Sequence, residues 1–226
     1  MKVQPYELGG MATSYVVGDP GYPCLIVDFG FDADHRLERI ALQSHPYIAG
    51  IFLTHGHFDH IAGLNDLDIV PSTRVVIHGA DERCLEDARF NGSISFGNPL
   101  VIGRELPLAI VEDGDEVFLG ARRVKGPDGN DLDLGGMTVE VIHTPFHTAG
   151  SVCYYLKEEG ILFSGDTLFH LGVGRTDLPG AEPRKMEDSL RKLLSLPDDT
   201  KVYPGHGKST TMGEQRRYNP YLSGLK

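Results

Sequence analysis

The amino-acid sequence predicts layered α and β structure, and the order of its elements supports this class. Short apolar runs of strand length alternate with segments that carry apolar residues at helical spacing. Several predicted strands are followed closely by histidine or aspartate, which places polar side chains where a strand leaves the core. The 226 residues, 40% of them hydrophobic, are enough to bury one sizeable core. We therefore expect residues 1–226 to form a single domain.

The first quarter of the chain predicts a hairpin, a helix and a further strand. Residues 11–17 and 23–28 flank the turn-forming sequence Gly18-Asp19-Pro20-Gly21, and we expect them to pair as the hairpin that opens a sheet. Residues 32–43 carry apolar residues at helical spacing, which predicts a helix that covers the sheet. The apolar run at residues 48–53 predicts a buried strand.

The rest of the chain continues the mixture of strands and helices. Residues 90–99 mix turn formers with aromatic residues and predict a surface excursion near the mouth of the site, either an irregular connector or a substrate-facing loop. Residues 122–136 are charged and rich in glycine, and we expect an exposed hairpin excursion there. Further strands are predicted at residues 75–78, 116–119, 137–142, 151–156, 161–164 and 201–203, and further helices at residues 80–88, 183–196 and 211–218.

A dense cluster of metal-binding residue types follows the strand at residues 48–53. The run Thr54-His55-Gly56-His57-Phe58-Asp59-His60 contains three imidazoles and a carboxylate. In extended backbone, side chains two residues apart share a face, so His55 and His57 can bind one cation. Asp59 and His60 can turn toward a second cation about 3.5–4 Å away, the separation typical of two-metal sites. A structural zinc site is disfavoured because such sites use mainly thiolates, and no cysteine is nearby.

This run resembles the H-x-H-x-D-H signature of the metallo-β-lactamase-fold hydrolases. Three later stretches match that family in order: residues 143–150 (HTPFHTAG), 165–169 (GDTLF) and 203–207 (YPGHG). The resemblance implies a four-layer αββα sandwich, whereas spacing alone establishes only mixed α and β structure. It also implies a seven-residue metal centre, with one ion on His55, His57 and His147, a second ion on Asp59, His60 and His206, and Asp166 between them.

The stretch at residues 143–150 departs from the family pattern at one position. The resemblance identifies His147 rather than His143 as the metal ligand. Phe146 replaces the glycine of the family's H-T-P-G-H-T, and a bulky side chain there is expected to wall the pocket or to shift the turn.

Two residues of the loop after Asp166 are candidate substrate contacts. His170 follows Asp166 by four positions and is either an ordinary loop histidine or a residue that touches substrate. Arg175 has two alternative roles, an ion pair with Asp177 and a clamp for a substrate carboxylate.

Within the family, the stretch from Gly174 to Gly180 resembles the glyoxalase II-like branch most closely. The implied reaction is hydrolysis of a small thioester such as S-lactoylglutathione by a hydroxide activated between two divalent ions, with Asp59 and Asp166 orienting the nucleophile. Nitrogen and oxygen donors suit zinc, the metal we expect, and also iron or manganese. Full-length glyoxalase II carries a helical domain after the last histidine motif, whereas here residues 208–226 remain, so specificity for glutathione is doubtful.

Other members of the fold provide the alternatives. A persulfide dioxygenase would hold a single iron at His55, His147 and Asp166. A β-lactamase, a nuclease and a non-catalytic metal-binding module are the remaining possibilities. The formal net charge of −11 argues against nucleic acid as a partner. Two divalent ions, two carboxylates and a hydroxide sum to about +1, so an anionic small molecule is the expected partner.

The cysteines and the apolar segments predict the compartment. Cys24, Cys84 and Cys153 are odd in number and far apart, which favours reduced core residues of a cytoplasmic protein. The N-terminal residues lack the apolar segment of a signal peptide, and no stretch approaches the roughly 18 apolar residues of a membrane span. We therefore expect no membrane partner.

Overall fold

The fold consists of strands and short helices in a computed structural model that describes residues 1–31, 33–68, 73–103, 105–119, 124–125, 131–132 and 136–225. The strands are β1 (Lys2–Glu7), β2 (Thr13–Gly18), β3 (Cys24–Val27), β4 (Ile48–Phe52), β5 (Arg74–His78), β6 (Leu108–Val111), β7 (Glu116–Leu119), β8 (Val124–Lys125), β9 (Asp131–Leu132), β10 (Met137–His143), β11 (Val152–Leu156), β12 (Ile161–Gly165), β13 (Leu168–Phe169), β14 (Gly172–Val173), β15 (Lys201–Pro204) and β16 (Thr210–Thr211). The helices are α1 (Arg36–Leu42), α2 (Phe58–Ile61), α3 (Met186–Leu193) and α4 (Met212–Tyr218), and 3-10 turns span Ala33–His35, Ala62–Asn65, Gly79–Leu85, Ser93–Phe96 and Pro183–Lys185.

Two mixed sheets of six strands form the centre of the protein. The first sheet has the order β1-β2-β3-β4-β5-β6, antiparallel from β1 to β3 and parallel from β3 to β6. The second has the order β16-β15-β12-β11-β10-β7, antiparallel except for the parallel pair β12 and β15. The pairs β8–β9 and β13–β14 stand outside both sheets.

The two sheets pack face to face because successive side chains of a strand point to opposite faces. In β2, Tyr15 and Val17 join Tyr154 and Phe163 of the second sheet in one buried cluster between the sheets. Val16, between them in sequence, belongs to a different cluster on the outer face of the first sheet. Both faces of the central strands are therefore buried.

Helices cover the two outer faces. Leu37 and Ala41 of α1 pack on the first sheet, and Leu190 and Leu193 of α3 pack on the second. The layers are thus helix, sheet, sheet and helix, which confirms the four-layer αββα sandwich that the resemblance implies. Within the described part of the chain, none of the helices combines the length and apolar character that a membrane span requires.

Several elements differ from the sequence prediction in extent or type. The first predicted helix begins at Arg36, because Asp34 and His35 have left-handed backbone with φ of 62° and 53°. The segment predicted as a helix at residues 80–88 is a 3-10 turn, Gly79–Leu85. Strands β1 and β6 were not predicted from the sequence. Of the predicted hairpin excursion at residues 122–136, the short pair β8–β9 is described. The rest of it up to residue 135 lies outside the described residues, as does Asp32.

Two tyrosine hydroxyls connect the sheets beneath the strand ends. Tyr154 of β11 donates a 2.8 Å hydrogen bond to the carbonyl of Leu53, directly before the first histidine motif. Tyr15 of β2 donates a 2.6 Å bond to the carbonyl of Pro204, which lies two residues before His206 of the last histidine motif. These bonds hold the bases of two loops at one edge of the sandwich.

We expect Tyr154→Phe to destabilise the protein by about 1–3 kcal/mol, because it leaves the buried Leu53 carbonyl without its donor. Urea unfolding monitored by circular dichroism measures this loss. Tyr218→Phe is the matched control, because Tyr218 is 66% exposed. An equal effect of the two substitutions would show that the cross-sheet bond contributes nothing.

Candidate metal centre

The seven candidate ligands lie close together in space although they are spread over about two thirds of the chain. His55 and His57 follow β4, and Asp59 and His60 lie in the short helix α2. The remaining three come from the loops that follow strands of the second sheet, His147 after β10, Asp166 after β12 and His206 after β15. The helix begins at Phe58, so Asp59 and His60 lie in its first turn.

The first group is formed by three ring nitrogens. His55 Nε2 lies 3.1 Å from His57 Nδ1, which lies 2.9 Å from His147 Nε2. All three side chains are buried. These atoms satisfy the distances of a group that could hold one cation.

The hydrogen bonds behind two of these rings show which nitrogen carries the proton. His147 Nδ1 lies 2.8 Å from the carbonyl of Arg175, which can only accept, so Nδ1 donates and Nε2 presents a lone pair. Thr54 Oγ1 donates to Asp28 and is therefore free to accept from His55 Nδ1 at 3.1 Å. His55 Nε2 likewise presents a lone pair.

Three ring nitrogens in this arrangement cannot satisfy one another. His55 Nε2 and His147 Nε2 are both acceptors, and both face His57 Nδ1. That nitrogen carries at most one proton, so it can donate to only one of them, and the other lone pair has no donor. A cation binds all three lone pairs at once. The donor set therefore fits a metal ion, and imidazole nitrogens suit zinc or iron.

The second group is Asp59, His60 and His206. His206 Nε2 lies 3.1 Å from Asp59 Oδ2, and His60 Nε2 lies 3.9 Å from the same oxygen. The His60 side chain is fully buried, whereas His206 is 42% exposed, so this group opens toward solvent on one side.

Asp166 lies between the two groups and contacts both. Its Oδ2 is 3.4 Å from His147 Nε2, and its Oδ1 is 3.4 Å from His60 Nε2. His60 Nε2 and Asp166 Oδ1 are both buried, and neither has a hydrogen-bond partner among the described residues. Buried polar atoms without partners are costly, so a cation bound at these atoms would remove the penalty.

The pKa shifts divide the histidines into two kinds. Burial, together with the neighbouring histidines, holds the pKa of His55 well below its usual value. Burial and the nearby His147 and His60 rings lower the pKa of His57 to about 3. For His60, burial opposes protonation, but the carboxylates of Asp28, Asp59 and Asp166 outweigh it and raise the pKa well above its usual value. These three carboxylates thus favour a positive charge at the position of His60.

Asp28 supports both groups, although the sequence did not identify it as a site residue. Its carboxylate is 1% exposed and accepts bonds from the Thr54 N–H at 2.8 Å and from His60 Nδ1 at 2.8 Å. The bond from His60 Nδ1 leaves Nε2 directed at Asp59 and Asp166. A carboxylate that orients a histidine in this way is a common outer partner of metal sites. A structural signal of its role is its left-handed backbone, with φ of 56°.

Asp81 connects the first histidine loop to the loop of His147, and it too was missed. Its buried carboxylate accepts from the Gly56 N–H at 2.8 Å, the Thr148 hydroxyl at 2.7 Å and the Gly150 N–H at 2.8 Å. It therefore fixes the positions of His55 and His57 relative to His147.

A cavity of about 590 Å³ opens above the centre. Five candidate ligands reach its wall, and the remainder of the wall is largely apolar, with Met11, Phe58, Phe96, Phe169, Val173 and Leu178. The wall also includes Asn91, Gly92 and Phe96, which belong to the predicted surface excursion at residues 90–99. The position of this segment therefore agrees with the alternative of a substrate-facing loop. The volume suits a small molecule.

The three candidate substrate contacts lie in different environments. Arg175 lines the cavity, and its guanidinium donates two 2.6 Å hydrogen bonds to Asp177. His170 faces Glu214, with its Nε2 3.2 Å from the carboxylate. Phe146 is completely buried and packs with the apolar residues between the second sheet and α3.

His143, the alternative to His147, lies outside both groups. Its ring stacks on His78, with ring centroids 3.9 Å apart, and its Nε2 lies 2.9 Å from the carbonyl of Ala149. It therefore helps to hold the turn that carries His147 rather than pointing into the centre.

The sequence matches the metallo-β-lactamase superfamily over residues 8–206. The chain belongs to this superfamily. Its members are typically hydrolases, and the two sheets with their outer helices are the metallo-β-lactamase fold. The histidine and carboxylate groups described above lie where this fold brings the ends of its strands together.

Two relatives are similar to this chain over most of its length. An uncharacterised protein of Mycobacterium tuberculosis is 39% identical over 100% of this chain and 99% of its own length. The hydroxyacylglutathione hydrolase GloC of Haemophilus influenzae is 32% identical over 88% of this chain and 86% of its own.

Two solved structures have the same architecture. The BLEG-1 B3 metallo-β-lactamase is 32% identical, with a TM-score of 0.84 over 99% of this chain and 100% of that one. TTHA1623 in a di-iron-bound form is 32% identical, with a TM-score of 0.76 over 97% of this chain and 100% of that one. The second structure shows that a chain of this similarity holds two iron ions.

We expect Asp28→Asn to weaken metal binding by about 10- to 100-fold, the usual effect of losing an outer carboxylate. The amide keeps the shape of the side chain, but it cannot accept hydrogen bonds from Thr54 and His60 with both of its heavy atoms. Competition against a chromophoric chelator measures the change in affinity. Asp199→Asn is the matched control, because Asp199 is exposed. Unchanged affinity in Asp28→Asn would show that His60 needs no support from this carboxylate.

Proposed function

We propose that this protein is a dinuclear metal-dependent hydrolase that cleaves small thioesters. The observation that carries the proposal is the pair of adjacent donor groups, His55, His57 and His147 on one side and Asp59, His60 and His206 on the other, with Asp166 between them. Two groups that share a cavity wall suit a reaction in which two cations act on one substrate. Zinc suits the donors, and iron or manganese are the alternatives.

The chemistry of the proposed site divides between the ions and the chain. When bound, a pair of divalent ions lowers the pKa of a water molecule to about 7 and polarises a carbonyl group. Asp59 and Asp166 both reach the cavity wall, where they would orient the attacking water and accept its proton. His60 and its neighbours oppose the effect of burial and hold the pKa of both carboxyl groups below its usual value, so both are acceptors at neutral pH.

A thioester is the proposed substrate because the chain resembles thioester hydrolases, both in one short stretch and over most of its length. The stretch from Gly174 to Gly180 resembles the glyoxalase II-like branch, and GloC, a hydroxyacylglutathione hydrolase, is similar over most of both chains. S-lactoylglutathione is therefore the first compound to test. We also propose a cytoplasmic location, supported by three buried cysteines that form no disulfide with one another.

The alternative is a persulfide dioxygenase with one iron on His55, His147 and Asp166. One observation favours it, since these three side chains are buried whereas His206 of the second group is 42% exposed. A single inner ion on these three residues would leave the outer group, Asp59, His60 and His206, empty. The number of ions per chain therefore distinguishes the two activities.

The proposed function predicts about two metal ions per chain and hydrolysis of S-lactoylglutathione or another small thioester. Elemental analysis of protein purified without added metal gives the number and kind of ions. A thioester assay and an oxygen-uptake assay with glutathione persulfide, run on the same preparation, test the activity. One iron per chain with oxygen consumption would replace the proposed function by the dioxygenase.

We expect Asp59→Asn to lose the outer ion and to lower turnover by about 100-fold or more, the usual contribution of a positioned proton acceptor. The inner ion should remain, because His55, His57 and His147 are unchanged. Elemental analysis and steady-state kinetics measure the two effects separately. Asp188→Asn is the control, since Asp188 is an exposed residue of α3. Full activity of an Asp59→Asn protein that has lost this ion would exclude a role for it.

A further inference from the structure

A second cavity, of about 240 Å³, adjoins the cavity of the metal centre. The two cavities share three wall residues, Met11, Phe58 and Phe96. Beyond these, Phe31 and Leu100 extend the apolar wall of the second cavity. The shared residues place the second cavity directly beside the first, and this side chamber has room for a short alkyl chain or one aromatic ring.

Phe58 and Phe96 form the partition between the cavities. Their ring centroids are 4.9 Å apart at an interplanar angle of 46°. The Phe96 ring is 62% exposed, although an aromatic side chain of this size normally gains by burial. An exposed phenylalanine beside a cavity provides apolar surface that a ligand can cover.

The backbone around Phe96 sets the position of this ring. Phe96 ends the 3-10 turn Ser93–Phe96, which is bounded by Gly92 and Gly97 in left-handed conformations with φ of 78° and 76°. Glycine adopts this conformation at little cost, so the turn can hold Phe96 at the partition without other secondary structure.

The charges along the two cavities disfavour an anionic arm. In the second cavity, Asp66 is the one charged residue among the described wall residues, and it is negative. In the first, the one lysine or arginine on the described wall is Arg175, which already donates two hydrogen bonds to Asp177. Glutathione carries two carboxylates, and apart from the metal centre itself these walls offer them no unpaired cation.

We propose that the substrate carries an uncharged apolar arm that passes the Phe58–Phe96 partition into the second cavity while its scissile bond lies at the metal centre. The proposal rests on the proposed function and specifies the substrate class of the same site. In the hydrolysis, a C–O bond forms from water and the C–S bond breaks. One water proton ends on the thiol, and the other passes to solvent as the acid leaves as its carboxylate.

Two series of thioesters test the proposal by activity. In one, N-acetylcysteamine carries acyl groups from acetyl to octanoyl. In the other, the acyl group is acetyl and the thiol is lengthened. We expect kcat/KM to rise about threefold to fourfold per methylene in one series, the factor for burying one methylene group, and that series identifies which side of the bond carries the arm. Values that do not rise with chain length in either series would overturn the proposal.

Variants separate the chamber from a general preference for apolar compounds. Phe96→Ala should flatten the rise with chain length, because it removes half of the partition. Phe118→Ala is the matched control, since Phe118 is 52% exposed in β7 and is not a wall residue of either cavity. An unchanged slope in Phe96→Ala, or an equal loss in both variants, would exclude the second cavity as the binding site.

Binding of straight-chain carboxylates, from acetate to octanoate, tests the chamber without catalysis. Isothermal titration calorimetry on the purified protein should show affinity rising about threefold to fourfold per methylene, and Phe96→Ala should reduce that slope. A rising slope without thioester cleavage would retain the chamber and reject the proposed hydrolysis. Cleavage with a flat binding slope would retain the hydrolysis and reject the chamber.

Discussion

The centre depends on the hydrogen bonds that the buried carboxylate of Asp28 accepts. This carboxylate accepts hydrogen bonds from the Thr54 backbone, from the Thr54 hydroxyl and from His60 Nδ1, and through Thr54 it also orients His55. A buried carboxylate is costly unless hydrogen bonds satisfy it, and here these bonds fix one ring in each donor group. One side chain thus sets the direction of lone pairs on both sides of the centre, while Asp81 sets the spacing of the loops that carry them.

Charge balance explains why these groups suit cations. Asp28, Asp59 and Asp166 surround the fully buried His60, and their combined charge raises its pKa despite burial. Hydrogen bonding to Asp59 likewise raises the pKa of His206. Without metal, protons on these two rings supply the positive charge. A cation takes the same position only by displacing them, so metal uptake releases protons and the affinity for metal falls as the pH falls.

The sequence predicted the parts of the site whose signal is local. His55, His57, Asp59 and His60 lie within six residues after an apolar run, and the family resemblance added the other three candidate ligands. Asp28 and Asp81 escaped prediction because their partners are distant in sequence, by 26 and 32 residues for Asp28 and by up to 69 for Asp81. The same limit applies to the fold. The central strands are apolar on both faces and were found, whereas the edge strand β1 is mostly exposed and lacks that signal.

Reactivity and selectivity are carried by different parts of the chain. The candidate ligands are anchored by strand ends and buried carboxylates, so their geometry varies little with the surrounding loops. Arg175 illustrates the division, because its backbone carbonyl fixes the proton on His147 while its side chain is engaged by Asp177. A substitution of that side chain leaves the carbonyl in place. Phe96 of the apolar wall lies in a short turn between two glycines, and a change there alters the shape of the cavity without replacing a candidate ligand. A fold organised in this way can change its substrate while it keeps its chemistry, since selection on the wall and selection on the ligands act on separate residues.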